Sequence, residues 1–354
     1  MKAVPYRVGI IGCGRVAWLL DADPLIPNKP VTHMGAYRSI ARTEVVSASD
    51  VRVDRLHAFS KEFAVDAVYL DYREMLAKEQ LDIVSICAYA PDRYRMVVDA
   101  VNAGVKGIWC EKAFATSLDE AEAMKKLCDD QGVALVVDHT RRFSSDYAYA
   151  KKLLRNGAIG KPLSVVCHFS GGMVHTGTHA YDILRYFFGD AVWVEAILEA
   201  PTQRIGSLPQ PAERPLWQDA GGYGLIVFDA GVYATVHGDS KEYFIFEFDI
   251  MGTGGRLRIG NWLFELYEAR ESEKESGLRE LRRQKTGRRK AASPVIPAAL
   301  HLLDCMEGRA ENISGPQDGM AALEIALGLQ RSHHLGGSRV HLPLQDRNVR
   351  VMSR

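Results

Sequence analysis

The segment "YRVGIIGCGRVA", residues 6–17, constrains the fold of this chain more than any other stretch. Its apolar start is typical of a buried parallel strand. The strand pattern runs directly into G-x-G-x-x-A, formed by Gly12, Gly14 and Ala17. Glycines in this place permit a tight turn and let a pyrophosphate approach backbone N–H groups at a helix start. The segment predicts a dinucleotide-binding turn, and a turn without a ligand is the alternative. The residues of this turn expected at the cofactor are Gly12, Gly14, Arg15 and Val16.

Five further apolar runs follow in the first part of the chain, with helical patterns between them. The runs cover residues 45–49, 67–70, 83–87, 107–110 and 134–137. The clearest helix follows Ser117, which can cap it, with Glu120 completing a capping box and Gly132 ending it. Alternating strands and helices imply a parallel sheet covered on both faces. We therefore predict an α/β Rossmann domain, a doubly wound parallel sheet, over residues 1–138.

Asp50 follows the second apolar run, where an acidic residue can hold the ribose hydroxyls of adenosine. It lies farther from Gly14 than the usual spacing of about 20 residues, because a proline-bearing insert occupies residues 19–33. A carboxylate repels a 2′-phosphate, so the sequence favours NAD over NADP. Arg15 and Arg52, both predicted to contact the cofactor, lie close in sequence to Gly14 and Asp50. NADP therefore remains an alternative to NAD.

The pattern changes after residue 138. Longer segments rich in β-branched and aromatic residues, separated by Gly and Asp, predict a mainly antiparallel sheet. We expect residues 139–354 to form an α+β domain with a large open sheet and a C-terminal helix that packs back on it. This domain would bind the substrate and form oligomers. The charged run at residues 268–290 indicates a solvated, mobile loop. The alternative for that run is a grip on a phosphate, a carboxylate or a neighbouring subunit.

Length and composition exclude several classes of protein. A chain of 354 residues suits two domains, and its formal net charge of +0 gives no reason to expect nucleic acid or a membrane as partner. The 6 cysteines include no Cys-x-x-Cys pair, which fits a reducing compartment rather than a disulfide framework. Neither a signal peptide nor an apolar run of ~18 residues is present. We expect a cytoplasmic protein that acts on a small molecule.

The segment "HTGTHAYD", residues 175–182, admits several interpretations. His175, His179 and Asp182 have a spacing that a metal could use, but the zincin motif requires Glu where this chain has Thr176. We therefore predict no metal here, and a structural histidine pair or an acid/base site remains. Oxidising an alcohol needs a nicotinamide to accept hydride and a base to accept the proton. An imidazole, with a pKa of about 6.5, suits that second role.

Along nearly its whole length the chain resembles the glucose–fructose oxidoreductase / inositol dehydrogenase (Gfo/Idh/MocA) family. The matching segments are "GIIGCGRVA", "CEKAFATSLDEAEAM", "HTRRFSSDYAYAKKLLRNGAIGKPL", "HTGTHAYDILRYFFGD", "MGTGGRLRI" and "SGPQDGMAALEIALGLQRS". The resemblance implies an NAD(P)-dependent dehydrogenase that oxidises a secondary hydroxyl, or reduces a ketone, of a sugar, cyclitol or glycoside. It also implies a homodimer or homotetramer.

The same resemblance assigns roles to residues. Lys112 would stabilise the reacting oxygen, His179 would be the general acid/base, and Glu111 would support the cofactor end or Lys112. His175 stands where relatives carry Asp, so it would relay the proton or contact substrate. The expected substrate contacts are Thr140, Arg141, His168, Thr176 and Asp182, and the remaining cofactor contacts are Ala88 and Tyr89.

Two further functions stay open. Ala113 replaces the family's proline after Lys112, which removes a fixed φ and makes a cis bond there cost ~2.5–4 kcal/mol. Together with His175 in place of Asp, this departure is what a non-catalytic dinucleotide-binding sensor or repressor would show. A tightly held NAD that is reduced and restored within one turnover would instead serve elimination or glycoside cleavage.

Overall fold

The computed structural model describes residues 4–199, 217–238, 242–286, 292–347 and 349–352. The chain forms two compact units. The first comprises Met1–Ser144 with Ala291–Met320, and the second comprises Ser145–Lys290 with Ala321–Arg354. The first boundary therefore lies a few residues after the predicted one, and the return of residues 291–320 to the first unit was not predicted.

The first unit contains a six-stranded sheet in the order β3-β2-β1-β4-β5-β6, and every neighbouring pair is parallel. Its strands are β1 (Tyr6–Ile11), β2 (Thr43–Ser49), β3 (Ala67–Tyr69), β4 (Ile83–Ile86), β5 (Gly107–Cys110) and β6 (Ala134–Val137). The predicted Rossmann domain is confirmed. The strand order reverses between β1 and β4, and ligands of such sheets bind outside the carboxyl ends of the strands at this point.

Helices connect these strands. They are α1 (Leu20–Ala22), α2 (His33–Arg38), α3 (Val53–Phe63), α4 (Tyr72–Lys78), α5 (Ala90–Asn102) and α6 (Leu118–Gln131). A π-helical turn at Arg15–Leu19 precedes α1, and a 3-10 turn at Thr140–Phe143 follows β6. At α6 the Ser117 hydroxyl accepts the N–H of Glu120 at 3.3 Å, as predicted. The Glu120 carboxylate accepts the N–H of Thr116, whereas in a capping box it would accept the N–H of Ser117.

Helix α9 (Val295–Met306) explains why residues 291–320 belong to the first unit. Its apolar residues Ala298 and Leu302 are fully buried in one cluster with Val8, Ile83 and Trp109 of the parallel sheet. Burial of a leucine of this kind stabilises a fold by about 1.5–3 kcal/mol. The helix therefore belongs to the core of the first unit although it is distant in sequence.

The second unit contains a nine-stranded sheet in the order β15-β14-β13-β12-β7-β11-β10-β8-β16. Its pairs are antiparallel except β7 with β11, which confirms the predicted mainly antiparallel sheet. The strands are β7 (Pro162–Phe169), β8 (Ala191–Leu198), β10 (Gly222–Phe228), β11 (Tyr233–Gly238), β12 (Phe246–Gly252), β13 (Gly255–Gly260), β14 (Phe264–Glu271), β15 (Arg279–Gln284) and β16 (Val340–His341). A separate pair joins β9 (Trp217–Gln218) to β17 (Val351–Met352).

Three helices accompany this sheet: α7 (Ser145–Arg155), α8 (Gly177–Phe188) and α10 (Pro316–His334). Tyr147 of α7 contacts Phe248 of β12, and Tyr181 of α8 contacts Phe169 of β7. Phe169 and Phe248 point to the same side of the sheet, because side chains alternate along a strand. That side carries the apolar core. Among the described residues, no helix is long and apolar enough to cross a membrane.

The charged run at residues 268–290 is not a mobile loop where the structure describes it. It continues β14 into the edge strand β15, and residues 287–290 lie outside the described ranges. Charges pair across the strands, as in Arg258 with Glu265 at 2.9 Å and Arg283 with Glu265 at 3.0 Å. Charged edge strands resist pairing with other chains, which accounts for this composition.

We expect Ser332→Ala to lower the free energy of unfolding by about 1–3 kcal/mol. The buried Ser332 hydroxyl accepts the N–H of Ala196 at 2.8 Å and donates to the carbonyl of Ser338 at 2.7 Å. Alanine would leave both backbone groups unpaired. Denaturant unfolding measures the loss, with Ser39→Ala at the exposed C-cap of α2 as control. Equal stability of the two variants would contradict the assignment.

Candidate active site

The turn after β1 is shaped so that only glycine fits its first position. Gly12 has φ +92°, and a Cβ there would lie 3.0 Å from the backbone carbonyl carbon and oxygen of Cys87. At Gly14 the nearest atom to such a Cβ is Arg55 Nη1 at 3.5 Å, so the space above this residue is open. The π-helical turn begins directly afterwards, and the exposed Arg15 is its first residue.

Asp50 lies beside this turn at the carboxyl end of β2. Its Oδ2 accepts the N–H of Cys13 at 2.7 Å, its Oδ1 accepts the N–H of Arg52 at 2.9 Å, and the residue is 7% exposed. Arg55 Nη1 lies 3.8 Å from Oδ2. The sequence did not point to Arg55, although its place one turn after Arg52 at the start of α3 could have. The side chain of Arg52 itself donates to Asp54 at 3.0 Å.

These residues fit a dinucleotide. The glycine turn leaves room for a pyrophosphate, and a fixed carboxylate stands where the ribose hydroxyls of adenosine would lie. Both features adjoin the point where the strand order reverses. A bound nicotinamide cofactor would supply a hydride acceptor.

Glu111, Lys112 and Ala113 follow β5 and are all buried. The Lys112–Ala113 peptide bond is cis, although residue 113 is alanine and not proline. Burial lowers the pKa of Lys112 to about 8, and the cations Arg93 and Arg141 add to the effect while Glu111 opposes it. An ammonium of this kind gives up its proton near physiological pH, so it can serve as a hydrogen-bond donor or as an acid.

Arg93 of α5, which the sequence did not single out, joins the ends of β4 and β5. Its Nε donates to the carbonyl of Ala88 at 2.9 Å, and its Nη1 donates to the carbonyl of Ala113. The guanidinium is buried. Tyr89 begins α5 as its N-cap residue and is 44% exposed, so its ring is available to a ligand at this edge.

A buried cluster that sequence analysis missed adjoins Lys112: His33 of α2, Glu111 and Asp138. His33 Nε2 lies 3.5 Å from Glu111 Oε1 and 3.8 Å from Asp138 Oδ2. The Trp109 indole N–H donates to Asp138 Oδ1 at 3.1 Å, and the His33 ring packs on Trp109 with centroids 3.8 Å apart. The three ligand atoms lie within 4.8 Å of one another, a grouping that could also hold a metal ion.

Thr140 and Arg141 lie in the 3-10 turn after β6, at the same carboxyl edge of the sheet. Their neighbour Arg142 is structural, because it pairs with Asp318 at 3.0 Å and donates to the carbonyl of Ile313 at 2.6 Å. Arg141 influences Lys112 through its charge. The first unit thus gathers the candidate cofactor residues and Lys112 at one edge.

In the second unit, the segment of residues 175–182, which contains two histidines, leads into and includes the start of α8. His175 precedes the helix, Thr176 is its N-cap, and His179 lies in its first turn with its ring 6.5 Å from that of Phe246. His175 and His179 are partly buried, while Asp182 is completely buried. The side chains that the sequence grouped therefore differ in their access to a substrate.

Asp219, which the sequence did not single out, fixes the chain in front of α8. Its carboxylate accepts the N–H groups of Val174 and His175 at 2.8 and 2.6 Å. A Cβ at Gly172 would lie 2.2 Å from Asp219 Cγ, so glycine is required there. The backbone that presents His175 is held by a carboxylate.

His168, which the sequence predicts as a substrate contact, lies on a different face of the sheet from α8. His168 alternates with the buried Cys167 and Phe169 on β7, and Phe169 is the residue that contacts α8. His168 therefore lies on the opposite face of the sheet, where its ring is 4.7 Å from that of His237.

Comparisons with known proteins agree with this geometry. Residues 6–139 match the family model GFO_IDH_MocA, described as an oxidoreductase family with an NAD-binding Rossmann fold. D-apiose dehydrogenase from Paraburkholderia graminis is 35% identical over 219 residues, which cover 57% of this chain and 54% of that protein. Myo-inositol 2-dehydrogenase from Thermotoga maritima is 26% identical over 200 residues, covering 52% of this chain and 56% of that protein. The chain thus spans about half the length of the curated relatives it matches.

Among solved structures, the WlbA dehydrogenase from Bordetella pertussis, in complex with NADH and UDP-GlcNAcA, shares the fold. The TM-score is 0.75 at 18% identity, and the alignment covers 96% of this chain and 100% of that one. Residues 6–139 are thus similar to an oxidoreductase family with an NAD-binding Rossmann fold, and the first unit of this chain adopts that fold.

Proposed function

We propose that the protein is an NAD-dependent dehydrogenase that oxidises a secondary hydroxyl of a sugar, cyclitol or glycoside, or reduces the corresponding ketone. The observation that carries the proposal is the buried Lys112, with a pKa of about 8, at the same sheet edge as the Gly12 turn and Asp50. Burying an ammonium costs free energy, so a buried lysine with a perturbed pKa at this edge is a candidate for chemistry. The two named relatives are both dehydrogenases of polyhydroxy compounds.

Gly12, Gly14, Arg15 and Asp50 would hold the cofactor. Lys112 would donate a hydrogen bond to the reacting oxygen and stabilise the negative charge that develops there. His179 would accept the hydroxyl proton as the general base, since its place at the start of α8 leaves the ring partly exposed. Thr176, the partly exposed N-cap of α8, would hold a substrate hydroxyl, whereas the completely buried Asp182 would act from behind the helix surface.

A substrate screen tests the proposal. NAD and NADP are each offered with sugars, glycosides, inositols and sugar acids, and reduced cofactor is followed by absorbance. We expect reduction of NAD by at least one polyol, and loss of that activity in Lys112→Ala and His179→Ala. Binding of NAD without turnover across the panel would contradict the proposal and favour a sensor.

We expect Asp50→Asn to raise KM for NAD roughly 10- to 100-fold, which is the equivalent of about 1.5–3 kcal/mol for hydrogen bonds to a charged acceptor. It should also narrow the preference for NAD over NADP, because the carboxylate no longer repels a 2′-phosphate. Asp66→Asn, an exposed residue of the same unit, is the control. An unchanged KM would place the adenosine elsewhere.

We expect His175→Asp to move the acid limb of the pH–rate profile to higher pH. A carboxylate near His179 favours the imidazolium, so the base is lost at a higher pH than with His175. His175→Asn, which brings no charge, should leave the limb where it is. Superimposable profiles for the Asp and Asn variants would show that position 175 does not influence the base.

A further inference from the structure

Three polar side chains from separate segments meet in the interior of the first unit. His33 is the first residue of α2, Glu111 follows β5 and Asp138 follows β6. The register pairs Cys110 with Val137 just before the two acidic residues, so their carboxyl groups leave neighbouring strands at one edge of the sheet. The three residues are only 1%, 5% and 7% exposed, and one ligand atom from each lies within 4.8 Å of the other two. Together they form a buried set of one nitrogen and two oxygen donors.

The Nε2 atom of His33 has no hydrogen-bond partner, although it is buried. It lies 3.5 Å from Glu111 Oε1 and 3.8 Å from Asp138 Oδ2. A direct N–H···O bond would be shorter, at about 2.7–3.2 Å. Two donors bound to the same tetrahedral metal ion, each about 2.0–2.2 Å from it, lie about 3.3–3.6 Å apart. The observed separations are therefore closer to those of two metal ligands than to those of hydrogen-bonded partners.

A contact on the other ring nitrogen orients the imidazole. His33 Nδ1 lies 3.1 Å from Ser85 Oγ, which in turn lies 2.9 Å from the Tyr37 hydroxyl. The ring also packs on Trp109, with the ring centroids 3.8 Å apart. A proton on Nδ1 that is donated to Ser85 leaves the lone pair of the neutral imidazole on Nε2. That lone pair faces the two carboxyl groups, and neutral imidazole is the form of histidine that binds metals.

Each carboxyl group is held by a donor at the oxygen that lies farther from His33. The Trp109 indole N–H donates to Asp138 Oδ1 at 3.1 Å, and the backbone N–H of Lys112 donates to Glu111 Oε2 at 3.2 Å. Metal ligands in proteins are typically oriented by such bonds to the atom that does not bind the metal. The arrangement leaves one oxygen of each carboxyl group directed to the point that His33 Nε2 also faces.

The charges around the cluster are compatible with a divalent cation. Two carboxylates buried beside a neutral histidine carry two negative charges, and burying them without compensation is costly. Lys112 and Arg93 act on Glu111 through their charges. The Arg93 guanidinium, however, donates its hydrogen bonds to the carbonyls of Ala88 and Ala113. A cation between the carboxylates would balance their charge directly.

We propose that His33, Glu111 and Asp138 bind one divalent transition-metal ion, and that zinc is the ion that matches this donor set best. Imidazole nitrogen suits zinc, whereas magnesium and calcium prefer sites made of oxygen alone. A water molecule would complete four-coordination, because the chain supplies three ligands. The ion would link the start of α2 to the ends of β5 and β6 and so stabilise the first unit. The proposal is independent of the dehydrogenase function.

Zinc binding by the full chain tests the proposal without any measurement of turnover. The protein is stripped of metal with a chelator, and zinc chloride is titrated by calorimetry in the absence of NAD. We expect one equivalent of zinc to bind. Ser85→Ala keeps all three ligands but removes the support of Nδ1, so it should weaken binding about 10- to 100-fold, and His33→Ala should weaken it by more. Failure of the wild type to bind zinc, or equal affinities of the wild type and His33→Ala, would overturn the proposal.

Two other histidine variants are the matched controls. His57→Ala removes an exposed histidine of the first unit and should bind zinc as the wild type does. His179→Ala removes a histidine of the segment of residues 175–182, whose spacing could also suit a metal, and should likewise keep its zinc. Loss of zinc from His179→Ala, with retention in His33→Ala, would assign the ion to the second unit and overturn the proposal.

X-ray absorption at the zinc edge needs no variant, so it decides the question even where His33→Ala does not fold. The wild-type spectrum should show only nitrogen and oxygen neighbours at about 2.0–2.2 Å, one of them an imidazole. Cys87 follows β4 at the same edge of the sheet and offers a thiol. A sulfur neighbour at about 2.3 Å would show that a cysteine binds the ion and would contradict the proposed ligand set.

Thermal unfolding measures the contribution of the ion to stability. Free zinc at about 100-fold above its Kd should raise the Tm of the wild type by roughly 5–10 °C, because the assembled site exists only in the folded protein. A chelator should reverse the rise, and His33→Ala should show none. An unchanged Tm of the wild type would contradict the proposal. Failure of the dehydrogenase proposal would leave all of these results standing, because none of them measures turnover.

Discussion

Lys112→Met is expected to lower kcat/KM about 10²–10³-fold, the usual cost of removing one donor to a developing oxyanion. Methionine has a similar length and tolerates burial, so the fold and the binding of NAD should persist. The loss should fall on kcat as well as on kcat/KM, because the hydrogen bond strengthens in the transition state. Steady-state kinetics with a substrate from the screen measure it, and calorimetry measures NAD affinity.

Lys126→Met on the exposed side of α6 is the matched control, since it removes a lysine that is 73% exposed in its side chain. A wild-type kcat in Lys112→Met would show that Lys112 takes no part in the chemical step. The wild-type profile should also fall on the alkaline side near the lysine's pKa of about 8. Lys112→Arg keeps its charge at high pH, so in that variant this alkaline fall should disappear even though kcat is reduced.

His179→Ala is expected to lower kcat/KM about 10²–10⁴-fold, the usual contribution of a positioned acid or base. The acid limb of the profile should vanish with the side chain, because no imidazole is left to protonate. Added imidazole should restore part of the activity by filling the space left by the ring. His57→Ala, which removes an exposed histidine of the first unit, is the control. An unaltered acid limb in His179→Ala would assign the base to another residue.

The cofactor side of the candidate site could be predicted from sequence because its signals are local. Gly12 and Gly14 adjoin β1, and Asp50 directly follows β2, so the strand pattern alone places them at one edge of the sheet. Lys112 was reached only through resemblance to a family. Lys112 is buried beside Arg93 of α5, which donates to the carbonyls of Ala88 and Ala113. No spacing pattern in the sequence predicts this contact between distant elements.

The errors have a common physical origin, which is that long-range packing decides what local pattern leaves open. His168 was assigned to the substrate through the family resemblance, but the alternation of side chains along β7 places it on the face opposite to Phe169 and α8. The charged run after residue 268 pairs as an edge strand, in which Arg283 finds the carboxylate of Glu265 across the ladder and Arg282 pairs with the nearby Glu273 and Glu280. The cluster of His33, Glu111 and Asp138 draws on three segments that only the parallel sheet brings together.

The most direct test of the account is transfer of deuterium from a polyol labelled at its carbinol carbon to bound NAD, followed by mass spectrometry of the cofactor. We expect singly deuterated NADH from the wild type, formed with a primary isotope effect, and a rate lowered to a similar extent in Lys112→Met, His179→Ala and the double variant. Saturating NAD that acquires no deuterium from any polyol in the panel would contradict it.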